Sequence, residues 1–479
     1  MARVLANIST CKKMSRIRKV SVGLWSLLFL LPGCVKTEGF ECETNDECGQ
    51  SAQCEPEGVC SFVDATCETG FRFGEESGEV GGECTLPGKD IFDDGPTIVD
   101  NDSDDNTQEN DGEPFALSNV VLSDWHKKTG AVVLDNTSVP YVFDTDSGVI
   151  TLENDSEELF EEEMAFSIAS QFNGPNTGVL VLGQLDISPG AVLKVRGTNS
   201  GVIVASQSIT IAGQILADAG QGRPDLAGPG GYSGGQSLAC DGGGPGGGGF
   251  GGSPDFGAGG GGHVAKGGKG GDWGGEPFSP GGLGGEAHGN INLTPLIGGS
   301  GGGCGGGNTD VARGGGGGGA LQLSAGESIV VQSAGALSAN GAGGEGGSSD
   351  NAGAGGGAGG SILLESKSIA IDGNVSANGG GGGAGADGDV KGADGEAGRL
   401  GRGIALGGVG AGQGASGGNG GAGADAKGRN GTDTTGQVAT DDNAGGGGGG
   451  GGRVRVRGRN ISVGGVVSPN AGYEQSRDI

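Results

Sequence analysis

An all-β chain is expected: a right-handed parallel β-helix, or solenoid, interrupted by long glycine-rich inserts and preceded by a small disulfide-stapled module. Three observations predict it. Short stretches of alternating aliphatic residues repeat one pattern along the second half of the chain. Blocks of almost pure glycine separate them, and glycine supplies 119 of the 479 residues. Six cysteines crowd into residues 42–84, in a stretch with no hydrophobic period.

The overall balance narrows the function classes. The chain carries 28 Lys and Arg against 58 Asp and Glu, a formal net charge of -30, and only 4% of residues are aromatic. A large aromatic core is not expected from that composition. Nucleic acid and an anionic lipid face both require a basic footprint, so neither is expected as the main partner.

At the amino terminus Lys12, Lys13, Arg16, Arg18 and Lys19 precede the charge-free run Val20 to Leu31. That is an n-region and an h-region too short for a comfortable membrane span. A start at Met14 would leave a signal of ordinary length. The run ends in Leu31-Pro32-Gly33-Cys34, which resembles the lipobox of bacterial lipoproteins. The resemblance implies a signal peptide over 1–33, cleavage before Cys34, and anchoring to a lipid bilayer through acylated Cys34. Several acyl chains, at about 0.8 kcal/mol per buried CH₂, anchor stably where one does not. Val35 in place of aspartate implies export to the outer membrane.

Residues 34–88 form the lipidated terminus and the cysteine module. Cys42, Cys48, Cys54 and Cys60 are separated by five residues each, and Cys67 and Cys84 follow. So short a segment needs bridges to fold. Sequence leaves about 15 connectivities open for six cysteines. Alternating pairing favours Cys42–Cys54, Cys48–Cys60 and Cys67–Cys84. Zinc is the other reading, but the gaps fit metal spacing poorly and no histidine lies nearby. The run from Cys60 to Cys67, with Gly70-Phe-Arg-Phe-Gly74 and Gly82-Glu-Cys84, is similar to a module near the start of many myxobacterial surface lipoproteins. It implies a location more than a chemistry.

Residues 89–114, including Asp100-Asn-Asp-Ser-Asp-Asp105, read as an acidic, disordered linker. No cofactor is implied. Calcium at the acidic turns is the alternative, but the ligand pattern of a calcium loop is absent. Residues 115–177 read as an amino-terminal β cap, with strands at Ala131–Leu134, Val139–Phe143 and Gly148–Leu152. Asp144-Thr-Asp146-Ser-Gly148 reads as a tight turn whose carboxylates are the second place for a cation. Glu157 to Met164 is expected to be a short acidic helix.

The solenoid spans 178–479. One unit runs from Val202 to Asp218, a second from Ala320 to Asn340, a third from Ser361 to Asn378 and a fourth from Arg453 to Asn470, with a less regular copy at 178–195. Roughly six inward aliphatics per unit supply on the order of 9–18 kcal/mol. Ordering ~20 residues costs about 30 kcal/mol, so a unit folds only when stacked on its neighbours. Each unit closes on Asp218, Asn340, Asn378 or Asn470, which should lie at one edge, the asparagines as a side-chain stack. A flat antiparallel sandwich is the competing arrangement, and triplets of strands rather than hairpin pairs speak against it.

The inserts, 219–319, 342–360 and 380–452, should leave from that same corner. Glycine chain is by default a flexible coil. The competing form is extended three-fold helices packed side by side, because chains without Cβ can approach closely. Sequence leaves both open. Cys240 and Cys304 should bridge the longest insert. No Gly-Lys-Ser/Thr follows a strand, so the glycine runs are not phosphate loops. This region resembles bacterial surface proteins with polymorphic glycine-rich repeats, such as the mycobacterial kind.

Together these features fit a non-enzymatic, surface-exposed lipoprotein with a structural or adhesive role, in contact with matrix or polysaccharide. One alternative is a polysaccharide-acting β-helix enzyme, yet Asp186, Glu327, Glu365 and Asp372 form no matched acid set. His126, His263 and His288 lie far apart in sequence and read as solvated loop residues. The other alternative is binding of acidic glycan through Arg453, Arg455, Arg457 and Arg459, which alternate with valines on one strand face. Their simpler role there is to guard an exposed sheet edge.

Overall fold

The computed structural model describes Ala52–Cys54, Cys60–Val63, Phe71–Phe73 and residues 115–476, apart from 238–239, 253–254, 274–279, 307–310, 413, 422–425, 434–442 and 471–472. The chain divides into two compact units, Met1–Thr97 and Ile98–Ile479. Described residues of the first unit form an antiparallel sheet of β1 (Ala52–Cys54), β2 (Cys60–Val63) and β3 (Phe71–Phe73). Cys54 and Cys60 face each other across it. The signal and lipobox, Cys34, the acidic run and Cys42, Cys48, Cys67 and Cys84 lie outside the described residues.

The second unit is all β, with no α-helix among its described residues. After β4 (Ala131–Leu134), β5 (Tyr141–Asp144), β6 (Ile150–Leu152) and β7 (Ala165–Ala169), the strands come as recurring sets. The first set is β8 (Thr177–Leu182), β9 (Gln184–Ile187) and β10 (Val192–Arg196). The second is β11 (Ser200–Ala205), β12 (Ser208–Ile211) and β13 (Gln214–Leu216). In the next two sets one long strand does the work of two: β14 (Ala320–Val331) with β15 (Ala336–Ser338), then β16 (Ser361–Ile371) with β17 (Asn374–Ser376). The last set is β18 (Arg453–Arg457), β19 (Asn460–Val463) and β20 (Val466–Ser468), and β21 (Tyr473–Ser476) follows.

Corresponding strands of successive sets pair in parallel, giving three ladders. The first joins β8, β11, β14, β16, β18 and β21. The second joins β4, β9, β12, the later halves of β14 and β16, and β19. The third joins β5, β10, β13, β15, β17 and β20. Parallel neighbours cannot be joined by a tight hairpin, so the chain visits the other ladders before it returns. The amino-terminal end departs from this rule. β6 pairs antiparallel with β5, and β7 with β8, so the sheets are mixed rather than purely parallel. Hairpins there close the stack with short local connections.

Alternation puts like residues in columns. Leu180, Ile203, Leu323, Leu364 and Val456 stand in register along the first ladder, and Leu185, Ile209, Ile329 and Ile369 along the second. The third aligns Leu193, Ile215, Leu337, Val375 and Val467. All are buried in one core cluster. Each fully buried side chain of this kind contributes roughly 1.5–3 kcal/mol.

The opposite face of the first ladder is buried too. Residues 115–128 cross it as a strap. Arg457 donates to Ala116 O at 3.0 Å, Ser118 N to the Glu365 carboxylate at 3.3 Å, and Asn119 Nδ2 to Gln322 Oε1 at 2.9 Å. Farther along, Val120 and Trp125 pack with Val179, Val181, Val202 and Val204. Trp125, in a 3₁₀ turn at Trp125–Lys127, lies edge-on to Phe115 with ring centroids 5.6 Å apart. The strap thus spans sets from last to first. Glu157–Met164 is not the expected helix: Leu159 bridges to Ile150 and Phe160 turns through φ 63°. The glutamates stay in solvent while Leu159, Phe160 and Met164 pack on the core.

The inserts are ordered wherever described, as a sheaf of extended segments lying side by side. The run 445–452 gives the rule. Gly446, Gly449 and Gly452 face Ala354, Gly357 and Gly360 so closely that a Cβ would overlap their carbonyl oxygens. Gly447 and Gly450 face Gly268 and Ala265, and Gly445 and Gly448 face Ser416 and Asn419, in the same manner. Successive residues therefore meet different neighbours with a period of three, that of an extended three-fold helix. The amides follow suit. Gly446, Gly449 and Gly452 donate to Gly383, Gly380 and Ala377 at 2.7–2.8 Å, while Gly447 and Gly450 donate to Ala258 and Gly261 at 2.8 Å. Interstrand hydrogen bonds replace side-chain burial as the cohesion, which is why, of the two forms the sequence leaves open, the packed extended one is found wherever the inserts are described.

Candidate functional site

The sheaf is rooted where the units close. Asp218 accepts from Asn340 N at 2.6 Å and Ser338 Oγ at 2.9 Å, and Asn340 Oδ1 accepts from Asn378 N at 2.8 Å. Asn378 Oδ1 accepts from Ser468 Oγ at 2.7 Å, and its Nδ2 donates to Arg399 O and Gly401 O, both at 2.7 Å. Asp218 and Asn340 thus bond to the next backbone amide rather than stacking amide on amide with the asparagine that follows. Adjacent strands lie about 4.8 Å apart, within reach of a short side chain for the neighbouring N–H. Asn470, in the last unit, is exposed. Burial pushes the Asp218 carboxyl up to about 6, against the pull of its Asn340 and Ser338 donors.

A cleft of about 350 Å³ opens beside this root, lined by Gly220, Arg223, Gly344, Glu345 and Asp394 among others. Its charges are paired. Arg223 meets buried Asp225 at 2.7 Å, Arg313 meets Glu345 at 3.3 Å, and Lys391 meets Asp394 at 3.0 Å. Among the lining glycines, Gly220 N donates to Leu226 O at 2.8 Å, Gly344 N to Gly381 O at 2.9 Å and Gly395 N to Gly344 O at 2.8 Å, so the cleft presents balanced charges on a backbone held by the fold itself.

The arginines of β18 are engaged within the fold. Arg457, 15% exposed, pairs at 3.0 Å with Glu365, which is fully buried. Gln322 Nε2 at 2.8 Å, Ser324 Oγ at 3.0 Å and the Ser118 hydroxyl complete that carboxylate's shell. Arg455 donates to Asn292 Oδ1 and to Ile291 O. Arg453 is half-buried and Arg459 exposed. β18 is not the edge that a guarding role requires, because β21 pairs along it from Val454 to Arg457.

Two histidines depart from the solvated position that the sequence suggests. His263 and His288 are not solvated: their rings meet at 4.9 Å, and His263 is 1% exposed. Their separation of 25 residues inside glycine chain carries no periodic signal that would bring them together. His126 does stay at the surface, on the 3₁₀ turn.

Cys240 and Cys304 form a disulfide across 64 residues, with Cα atoms 5.6 Å apart. Cys60 is disulfide-bonded, while its expected partner Cys48 lies outside the described residues. The carboxylates of the Asp144–Asp146 turn are occupied by backbone amides, of the turn itself and of the segment at Thr198. Asp144 Oδ1 accepts from Asp146 N at 2.8 Å and Asp146 accepts from Thr198 N at 2.9 Å. Among the described residues no group of three or more His, Cys, Asp or Glu is placed to hold a metal ion. Comparison with protein-family models, with curated proteins and with solved structures finds no match for this chain.

Proposed function

We propose that this chain is a non-enzymatic lipoprotein held at the outer membrane and cell surface by acylated Cys34, with a structural or adhesive role against matrix polysaccharide. The observation that carries the reading is the ordered glycine sheaf rooted on the strand ladders. A surface already ordered loses little conformational entropy when it binds, which favours broad, shallow contacts with a polymer. The root cleft, with its charges paired, suits sugar hydroxyls better than a charged ligand. The lipobox around Cys34 and the cysteine module, a form of stapling used in oxidising compartments, support export.

We read the three ladders as faces of a right-handed parallel β-helix. One strand from every ladder in each set supports this, together with the strong right-handed preference of parallel crossovers. An experimental structure with left-handed crossovers would refute it.

Two measurements test the function. Palmitate label should enter the wild-type protein in cells and be absent from Cys34→Ala; equal labelling refutes the anchor. Purified protein should co-sediment with insoluble matrix polysaccharide without releasing sugar. Failure to co-sediment overturns the adhesive reading, and release of reducing ends overturns the non-enzymatic one.

A further inference from the structure

The strongest unused feature of the molecule is the histidine pair in the longest insert. His263 and His288 sit where the sheaf meets the first ladder. Their backbones are joined by His288 N donating to His263 O at 2.6 Å, and their rings are 4.9 Å apart, tilted by 52°. His288 Nε2 lies 3.1 Å from Gly262 O and 2.8 Å from Ser300 Oγ. A carbonyl oxygen only accepts, so Nε2 carries the proton and Nδ1 is the bare nitrogen. His263 Nε2 lies 3.5 Å from Ser361 Oγ, at the start of β16. The Nδ1 atoms of both rings are buried without a hydrogen-bond partner.

The groups facing the pair offer no countercharge. From the ladders come the Ser361 hydroxyl and the guanidinium of Arg453, and the carbonyls of Gly359 and Gly360 lie beside His263. From the sheaf come Gly262 O and Ser300 Oγ, which itself accepts from Gly246 N at 3.0 Å. The nearest acid in sequence, Glu286, is exposed and paired with Lys266. A proton on His288 Nδ1 would be buried without an acceptor, and a charge on His263 would sit next to a second imidazole and near an arginine, with only the Gly359 and Gly360 carbonyls to oppose the cost.

We propose that this pair is an acid-sensitive latch, and that protonating His263 and His288 releases the segments 257–273 and 280–305 from the strand ladders while the ladders stay folded. The electrostatics agree in direction. Burial first, then His288 and Arg453, hold His263 well below its ordinary value against the pull of the Gly359 and Gly360 carbonyls, and burial pushes His288 down to about 4 against that of Gly262 O. An unfolded histidine titrates near 6.5. Both rings therefore favour the latched form above about pH 6.5, and that preference is lost as pH falls from there towards 4. For His288 alone the gap between about 4 and 6.5 corresponds to a roughly 300-fold change in the latching equilibrium.

Hydrogen exchange of the full-length protein, corrected for the intrinsic pH dependence of exchange, tests the latch. Between pH 7.5 and 4.5, amides of 257–273 and 280–305 should exchange at least about 10-fold faster while those of β11, β14 and β16 keep their protection. The double variant His263→Gln, His288→Gln should lose this pH dependence. Unchanged protection of 257–273 and 280–305 in the wild type, or the same pH dependence in the double variant, overturns the proposal. Should the variant fail to fold, imidazole NMR titration of the wild type decides. Midpoints well below 6 support the latch, and midpoints near 6.5 overturn it.

Discussion

The ladders and the sheaf are two answers to one problem, the satisfaction of buried backbone. In the ladders, strands pair and inward columns such as Leu180, Ile203, Leu323, Leu364 and Val456 exclude water. In the sheaf, segments such as 445–452 pair with several neighbours at once and bring almost no side chain. The ladders depend on side-chain volume and should tolerate exchanges that conserve it. The sheaf depends on distance between backbones and should not tolerate an added carbon. Alanine is not excluded from it: Ala354, Ala358 and Ala384 are buried at 0% exposure where a Cβ has room. What matters in the sheaf is position within the three-residue period.

The sharpest way to break this contrast is a single methyl group. Gly357→Ala would drive its Cβ into Gly316 O. Relieving the overlap means separating segments and losing several hydrogen bonds worth about 1 kcal/mol each, so we expect about 4–5 kcal/mol of local destabilisation. Ala358→Gly, one residue away, should cost only about 1 kcal/mol. Hydrogen exchange across the insert would measure both, and equal effects would refute the positional rule. On the ladder side, Leu323→Ala should cost about 3–4 kcal/mol through its cavity, whereas Leu323→Met should cost under about 1.5 kcal/mol. Denaturant unfolding reports these values.

These differences explain which parts the sequence reveals. Ala131–Leu134 is read to the residue because a short apolar run with two valines sits between the polar breaks Lys127–Gly130 and Asp135–Asn136. The units and their closing residues are legible because Ile209, Ile329 and Ile369 recur at matching places in successive units. The sheaf is not, because its information lies in which glycine faces which neighbour across the three inserts, and glycine has one letter for every face. The strap is equally silent. Ser118 finds Glu365 across 247 residues, and nothing local marks either partner. His263 and His288 fall in the same class, since only the ordered sheaf brings them together.

A covalent link sharpens the comparison next. The Cys240–Cys304 bridge closes 64 residues of the sheaf's longest insert. Opening such a loop should cost about 2–4 kcal/mol, through the greater freedom gained by the unfolded chain. We expect mild reduction to increase protease cleavage within 219–319 and to leave β14–β17 resistant. Cleavage spread evenly over both regions would mean that the ladders, too, depend on the bridge.

The smallest effect lies at the joint between the two regions. Asp218 is the one acid in a row continued by Asn340 and Asn378, and it carries the same duty of accepting from the next backbone N–H. Its carboxyl is raised to about 6 in the folded protein, against about 3.9 for an unfolded aspartate. The folded state therefore binds the proton more tightly. The stability this gives is present below about pH 4 and is lost as pH rises through about 6. Asp218→Asn keeps the accepting oxygen and removes the charge. The hydroxyl of Ser338, now facing an amide, can accept instead of donate. Because Asp218 is only half-buried, we expect a gain of about 1–2 kcal/mol at pH 7.5, shrinking towards zero near pH 4. Thermal unfolding of wild type and variant across that range measures it. A gain independent of pH would mean that the amide improves packing, and that charge at the joint does not set the seam's stability.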